Sequence, residues 1–86
     1  MPEISRFLGI VIAMYYNDHA PPHFHARYKG KEIRVNILSG EIISGEFPVR
    51  ALNLVQEWLQ LHQTELLIDW QLAKGRKPLN KIEPLE

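Results

Sequence analysis

Phe24-His25-Ala26-Arg27-Tyr28-Lys29-Gly30-Lys31-Glu32-Ile33-Arg34-Val35-Asn36-Ile37 alternates apolar and polar residues on both sides of a Lys-Gly step. A period of two is the signature of a strand with one face covered, and a two-residue step containing glycine is the signature of a tight hairpin. Phe24, Ala26 and Tyr28 fall on one face of the first strand, and His23, His25 and Arg27 on the other. After the turn, Ile33, Val35 and Ile37 are the apolar set, opposed by Glu32, Arg34 and Asn36. Working outward, Leu38-Ser39-Gly40 is a further turn, and Glu41 to Phe47 is a shorter strand interrupted by Gly45. Upstream, Leu8 to Tyr16 is almost wholly apolar or aromatic and reads as one strand covered on both faces, followed by a turn from Asn17 to Pro22. These segments predict a mostly antiparallel meander of four strands over residues 8–47, with one dry and one wet face.

From Val49 to Lys74 there is neither glycine nor proline, and Pro48 suits the first turn of a helix. Val49, Leu52, Val55, Trp58, Leu59 and Leu61 form an apolar stripe that Leu66, Leu67, Trp70 and Ala73 continue. A straight helix of that length would extend about 39 Å at 1.5 Å per residue, long for so small a chain. A break near His62 to Thr64 is expected, giving one long or two consecutive helices over residues 48–75, with Thr64 as an N-cap candidate. Gly75 is the expected stop, and residues 76–86 read as an extended tail whose Leu79, Ile82 and Leu85 pack back. The expectation is a single α+β domain over residues 1–86, a two-layer arrangement of sheet and helical half.

Lysine and arginine together number 10, as do aspartate and glutamate, which excludes polyanion binding driven by net charge. With 45% hydrophobic residues the composition is that of an ordinary globular protein. The absence of cysteine rules out disulfides and thiolate metal sites, leaving nitrogen and oxygen as the only metal ligands. The first residues lack the pattern of a signal peptide, and no apolar run approaches the roughly 20 residues of a membrane helix. A soluble, cytoplasmic protein with no membrane partner is expected.

Chemistry concentrates in Asp18-His19-Ala20-Pro21-Pro22-His23-Phe24-His25. Two imidazoles at i and i+2 of a strand are about 7 Å apart at their backbones, close enough for both rings to reach one ion. His19, His23 and His25 are therefore the candidate ligands of a divalent transition metal such as zinc, nickel or manganese, and Asp18 is a further ligand or the carboxylate that orients a ring. The same residues support a metal-free alternative of ribonuclease type. In it His23 and His25 exchange protons with the substrate and Arg27 anchors the phosphate, with Asp18, His19, Phe24, Lys29 and Arg34 forming the binding surface. The bland alternative is that the histidines are half-buried side chains bonded to backbone in a proline-stiffened turn. His62 and Glu65, one helical turn apart, are a second histidine–carboxylate pair.

Several segments together resemble the bacterial domain-of-unknown-function family 4160. They are Met1-Pro2-Glu3-Ile4-Ser5-Arg6-Phe7, Met14-Tyr15-Tyr16-Asn17-Asp18-His19, Pro21-Pro22-His23-Phe24-His25-Ala26, Gly45-x-x-Pro48, Glu57-Trp58, His62-x-x-Glu65-Leu66 and Trp70. The resemblance covers nearly the whole chain. Its members are small proteins often encoded beside another small protein, in an arrangement like that of toxin–antitoxin pairs. The resemblance implies a protein partner, the product of an adjacent gene, without naming a reaction. The leading expectation is thus a small protein-binding module of a two-gene system, working through the His19/His23/His25 turn. The alternatives are an enzyme acting on RNA and a homodimer joined at an exposed strand edge.

Overall fold

The computed structural model describes residues 2–16 and 18–85. Among the described residues five strands, β1 (Glu3–Phe7), β2 (Ile10–Ala13), β3 (His23–Tyr28), β4 (Lys31–Asn36) and β5 (Ile42–Gly45), precede one helix, α1 (Val49–Lys74). The strands form one antiparallel meander in the order β1-β2-β3-β4-β5, and the α+β two-layer architecture is as expected. Asn17, where the expected turn begins, lies outside the described residues.

The strand count is five rather than four, because the expected strand over Leu8–Tyr16 is not continuous. Leu8 (φ 50°) and Gly9 (φ 83°) both have positive φ, and Phe7 pairs with Ile10 across them. Two successive positive φ values make a two-residue turn whose twist matches that of the flanking strands. Leu8 sits at this tip, 57% exposed, instead of in a covered strand. The sheet therefore begins at Glu3 and gains an edge strand. The expected Lys29-Gly30 turn repeats the geometry, with φ of 47° and 80°, and sets the register Tyr28↔Lys31, Arg27↔Glu32, Ala26↔Ile33 and His25↔Arg34.

Ile4, Phe7, Ile10, Ile12, Phe24, Ala26, Ile33 and Val35 turn their side chains to α1, whose Ala51, Val55, Trp58, Leu59, Leu66, Trp70 and Ala73 complete the core. Trp58 is the centre of this layer, with ring centroids 5.5 Å from Phe7 and 5.7 Å from Phe24. Its indole N–H, which would be stranded in an apolar core, donates to the Glu83 carbonyl at 2.8 Å. The helix is interrupted within the expected span, at His62 (φ −127°, ψ 22°). The kink lets 26 residues fit a molecule whose longest dimension is 33 Å. Pro48 lies immediately before the helix and not in its first turn.

The helix ends at Gly75, with Arg76 (φ 58°) as the left-handed residue. Arg76 N–H donates to Ala73 O and Lys77 N–H to Leu72 O, the paired bonds that close a helix C-terminus. The tail then returns over the sheet edge: Ile82 N–H donates to Ile4 O at 2.8 Å, and Asn80 N–H to Asp69 Oδ1 at 2.9 Å. Asp69 is fully buried on α1, and its Oδ2 has no hydrogen-bond partner among the described residues. Burial, helped by the negative charge of Glu65, holds its carboxyl above the ordinary range despite the Asn80 N–H. No helix among the described residues is long and apolar enough to cross a membrane.

Candidate metal centre

The turn into β3 brings Asp18 back over the first residues of that strand. His23 and His25 share one face of β3, and their ring centroids lie 5.2 Å apart. His23 Nε2 lies 2.9 Å from Asp18 Oδ2, and His25 Nε2 lies 3.4 Å from the same oxygen. One ligand atom from each of the three residues lies within 4.8 Å of the others. Two atoms that share an ion at about 2.0–2.1 Å are separated by about 2.9–3.4 Å when the angle between them is 90–110°. The two distances to Asp18 already fall there, and the ligand atoms of the two imidazoles lie within 4.8 Å of each other.

The opposite edge of each ring is fixed. His23 Nδ1 lies 2.8 Å from the Pro21 carbonyl oxygen, which can only accept, so the proton of that nitrogen is donated to it. His25 Nδ1 donates to Glu32 Oε2 at 2.9 Å, and Arg27 donates to the other oxygen, Glu32 Oε1, at 3.1 Å. The bonds from His25 and Arg27 outweigh desolvation and hold the Glu32 carboxyl below its ordinary range, so it is an ionised acceptor. Packing completes the alignment. The His23 ring lies 5.3 Å from Trp70 on α1, and Tyr15 meets the His25 ring edge-on at 4.4 Å. The side chain of His23 is 4% exposed, that of His25 12% and that of Asp18 23%, so the cluster opens to solvent on the aspartate side.

With Nδ1 protonated, a neutral imidazole has only a lone pair on Nε2. Both lone pairs face Asp18 Oδ2. Burial pulls the Asp18 carboxyl upward, but the His19 backbone N–H and the His25 and His23 rings, acting as donors or positive charge, hold it below its ordinary value. When neither Nε2 carries a proton, the ionised carboxylate and the two lone pairs are three converging acceptor atoms, an arrangement that a cation between them can satisfy. Protons would need to be supplied twice, making two imidazolium rings neighbours over one carboxylate. A single divalent cation satisfies all three atoms at once.

Of the expected metal ligands, His23 and His25 are brought together and His19 is not. His19 is exposed and contributes its backbone N–H to Asp18 Oδ1 at 2.9 Å, which places the aspartate as third member of the cluster. The reason is local: the residue nearest the start of the turn folds over β3, while the next one caps it through the main chain. Arg27, expected to anchor a phosphate, is paired with Glu32. Phe24, expected at the binding surface, is buried beneath Trp58, because the alternation that puts His23 and His25 on the sheet face away from α1 sends it to the core. Lys29 lies at the far tip of the hairpin, its Nζ 5.3 Å from the Tyr28 ring centroid. Arg34 is directly opposite His25 on β4 and donates from Nε to Ser44 Oγ at 2.9 Å. His62 and Glu65 bond to each other at the helix kink, the His62 ring against Trp58, and neither is a member of the cluster. Glu32, Pro21 and Trp70 are the contributors that residue type alone did not reveal. No curated protein and no solved structure matches the sequence. The family profile described as Domain of unknown function (DUF4160) matches residues 9–71, a span that holds β2 to β5, all three members of the cluster and the helix through Gln71, and the chain belongs to that family.

Proposed function

We propose that this protein binds one divalent transition-metal ion through Asp18 and the Nε2 atoms of His23 and His25, leaving a coordination position open to solvent. The observation that carries the reading is that both histidines spend Nδ1 on fixed acceptors, Pro21 O and Glu32, and aim Nε2 at one carboxylate oxygen. A histidine that ligates a metal almost always donates its other ring N–H to a carbonyl or carboxylate in this way. Two imidazoles and a carboxylate suit zinc, nickel or manganese. Three protein ligands with a vacant fourth position is the arrangement of metal sites that perform chemistry. An ion held there would acidify a bound water and polarise a substrate oxygen. The ribonuclease-type alternative is therefore better served by the metal than by the imidazoles acting as acid and base. Their Nε2 atoms converge on one point instead of flanking a substrate, and their Nδ1 atoms are committed.

The partner-binding reading is compatible with the same centre and draws on a separate observation. Tyr16 is 43% exposed, and His19, Ala20 and Pro21, which follow it in the sequence, form an exposed rim as well. A small protein from an adjacent gene is the partner proposed for that rim, and co-purification of the two gene products tests it.

Equilibrium dialysis of untagged protein against zinc tests the metal reading. The expected result is one ion per chain, with affinity falling at least about 100-fold in Asp18→Ala and in His25→Ala, since loss of even an outer partner of a metal site costs about 10–100-fold. His19→Ala should bind as the wild type does. Binding that depends on His19 and ignores Asp18 would refute the proposed ligand set.

A further inference from the structure

We infer that the tail, residues 77–85, is a strap over the β1 edge latched by the buried side chain of Asp69: the neutral carboxyl holds the strap closed, and ionisation loosens it. Its polar contacts to the rest of the chain are few and specific. Asn80 N–H donates to Asp69 Oδ1 at 2.9 Å, Lys81 Nζ to Glu3 O at 2.8 Å and Ile82 N–H to Ile4 O at 2.8 Å, while the Trp58 indole N–H donates to Glu83 O at 2.8 Å. Ile82, 4% exposed, is buried in the core, and Leu79 and Leu85 are half-buried. Residues 74–78, which join the strap to α1, are all exposed.

The contact at Asp69 is the one that a proton can change. The residue is fully buried, its Oδ2 has no hydrogen-bond partner, and no lysine, arginine or histidine lies within ion-pair distance of it among the described residues. The charge that acts on it from its own helix, Glu65, is negative. On the elements packed against it the charged groups are engaged elsewhere: Lys81 with Glu3 O, Arg6 with the Glu3 carboxylate, and Glu83 with Trp58 through its carbonyl. An enclosed carboxylate with one N–H donor is costly, whereas the neutral acid keeps the bond from Asn80 without that cost. With the strap lifted, both oxygens reach water, so ionisation favours the lifted state.

The direction in pH follows. Burial first, with Glu65 and against the Asn80 N–H, displaces the enclosed carboxyl upward. The latch is therefore complete below the ordinary carboxylate value of about 3.9, weakens as pH rises towards the displaced value, and is constant beyond it. Lifting frees the Glu3 and Ile4 carbonyls, an edge of the sheet that the strap otherwise closes.

Amide hydrogen exchange of the metal-free full chain, followed by NMR from about pH 4 to about pH 8 and corrected for intrinsic rates, reads the latch at Asn80 and Ile82. Relative to amides of β3 and β4, which report the global fold, their protection should fall about threefold or more across this range. Asp69→Asn keeps an acceptor for Asn80 and carries no charge, so the fall should be absent. Glu65→Gln, which removes the neighbouring negative charge, should end the fall at a lower pH than in the wild type. Strap protection that is independent of pH in the wild type, or that falls equally in Asp69→Asn, overturns the latch. Loss of protection in β3 and β4 would show that Asp69→Asn does not fold, and Glu65→Gln then decides: a lowered pH range supports the latch, and an unmoved one overturns it.

Discussion

Gly45→Ala is expected to destabilise the protein by about 2–5 kcal/mol, read as a fall in the urea midpoint at constant slope. Two costs combine. Gly45 has φ +88°, a conformation that costs an L-residue about 1–2 kcal/mol. A Cβ built there would also fall inside van der Waals contact of the Glu32 carbonyl oxygen and 3.0 Å from Ile33 Cα. Both are backbone atoms of β4 that no rotamer change can remove, and overpacking of this kind costs about 1–3 kcal/mol. Gly30→Ala separates the two terms. Gly30 has φ +80° but nothing within 4 Å of its would-be Cβ, so it should show the backbone cost alone. Equal effects at the two positions would mean that β5 does not press on β4 as described. The clash also bears on the site, because Glu32 fixes the His25 ring: zinc affinity should drop with Gly45→Ala and not with Gly30→Ala.

Zinc should raise the thermal midpoint by about 10–20 °C when its free concentration is a hundred times the dissociation constant. An ion that binds only the folded chain stabilises it by about 2.7 kcal/mol under that condition, and a domain of 60–100 residues gains about 4–8 °C per kcal/mol. The ligands gather from residues 18, 23 and 25 only when the turn and β3 are formed, so binding and folding are coupled. The shift should shrink as pH falls, because Asp18 and both imidazoles must be free of competing protons to ligate. In Asp18→Ala, whose affinity is at least about 100-fold lower, the same zinc concentration should raise the midpoint by no more than about 3 °C. An undiminished shift in that variant would place the stabilising ion elsewhere.

Much of this architecture is legible in the residues. Alternation around Lys29-Gly30 gives the hairpin and its faces, and it predicts that His23 and His25 stand together with Phe24 beneath them. The apolar stripe gives the helix, and its length alone requires the break found at His62. What was not legible has physical causes. Leu8-Gly9 lies within an apolar run, and hydrophobicity cannot show that an exposed leucine occupies a turn. His19 and Asp18 are both plausible ligands by type. Which one folds over β3 is decided by the path of the turn, including the His19 N–H to Asp18 bond. Glu32 was reachable by counting back from the hairpin: the register that pairs Arg27 with Glu32 and His25 with Arg34 puts its carboxylate diagonally beside His25. Trp70 against His23 and the Asp69 link to Asn80 depend on how α1 and the tail dock, which local pattern does not encode.

The most direct test of the centre is a crystal structure of the zinc-loaded protein with anomalous diffraction recorded on both sides of the zinc absorption edge. The account predicts one strong anomalous peak per chain, about 2.0–2.2 Å from His23 Nε2, His25 Nε2 and a carboxylate oxygen of Asp18. Pro21 O and Glu32 should still hold the two Nδ1 atoms. A fully loaded crystal with its peak on His62 and Glu65, or with the His23 and His25 imidazoles still on Asp18 and no ion between them, would contradict it.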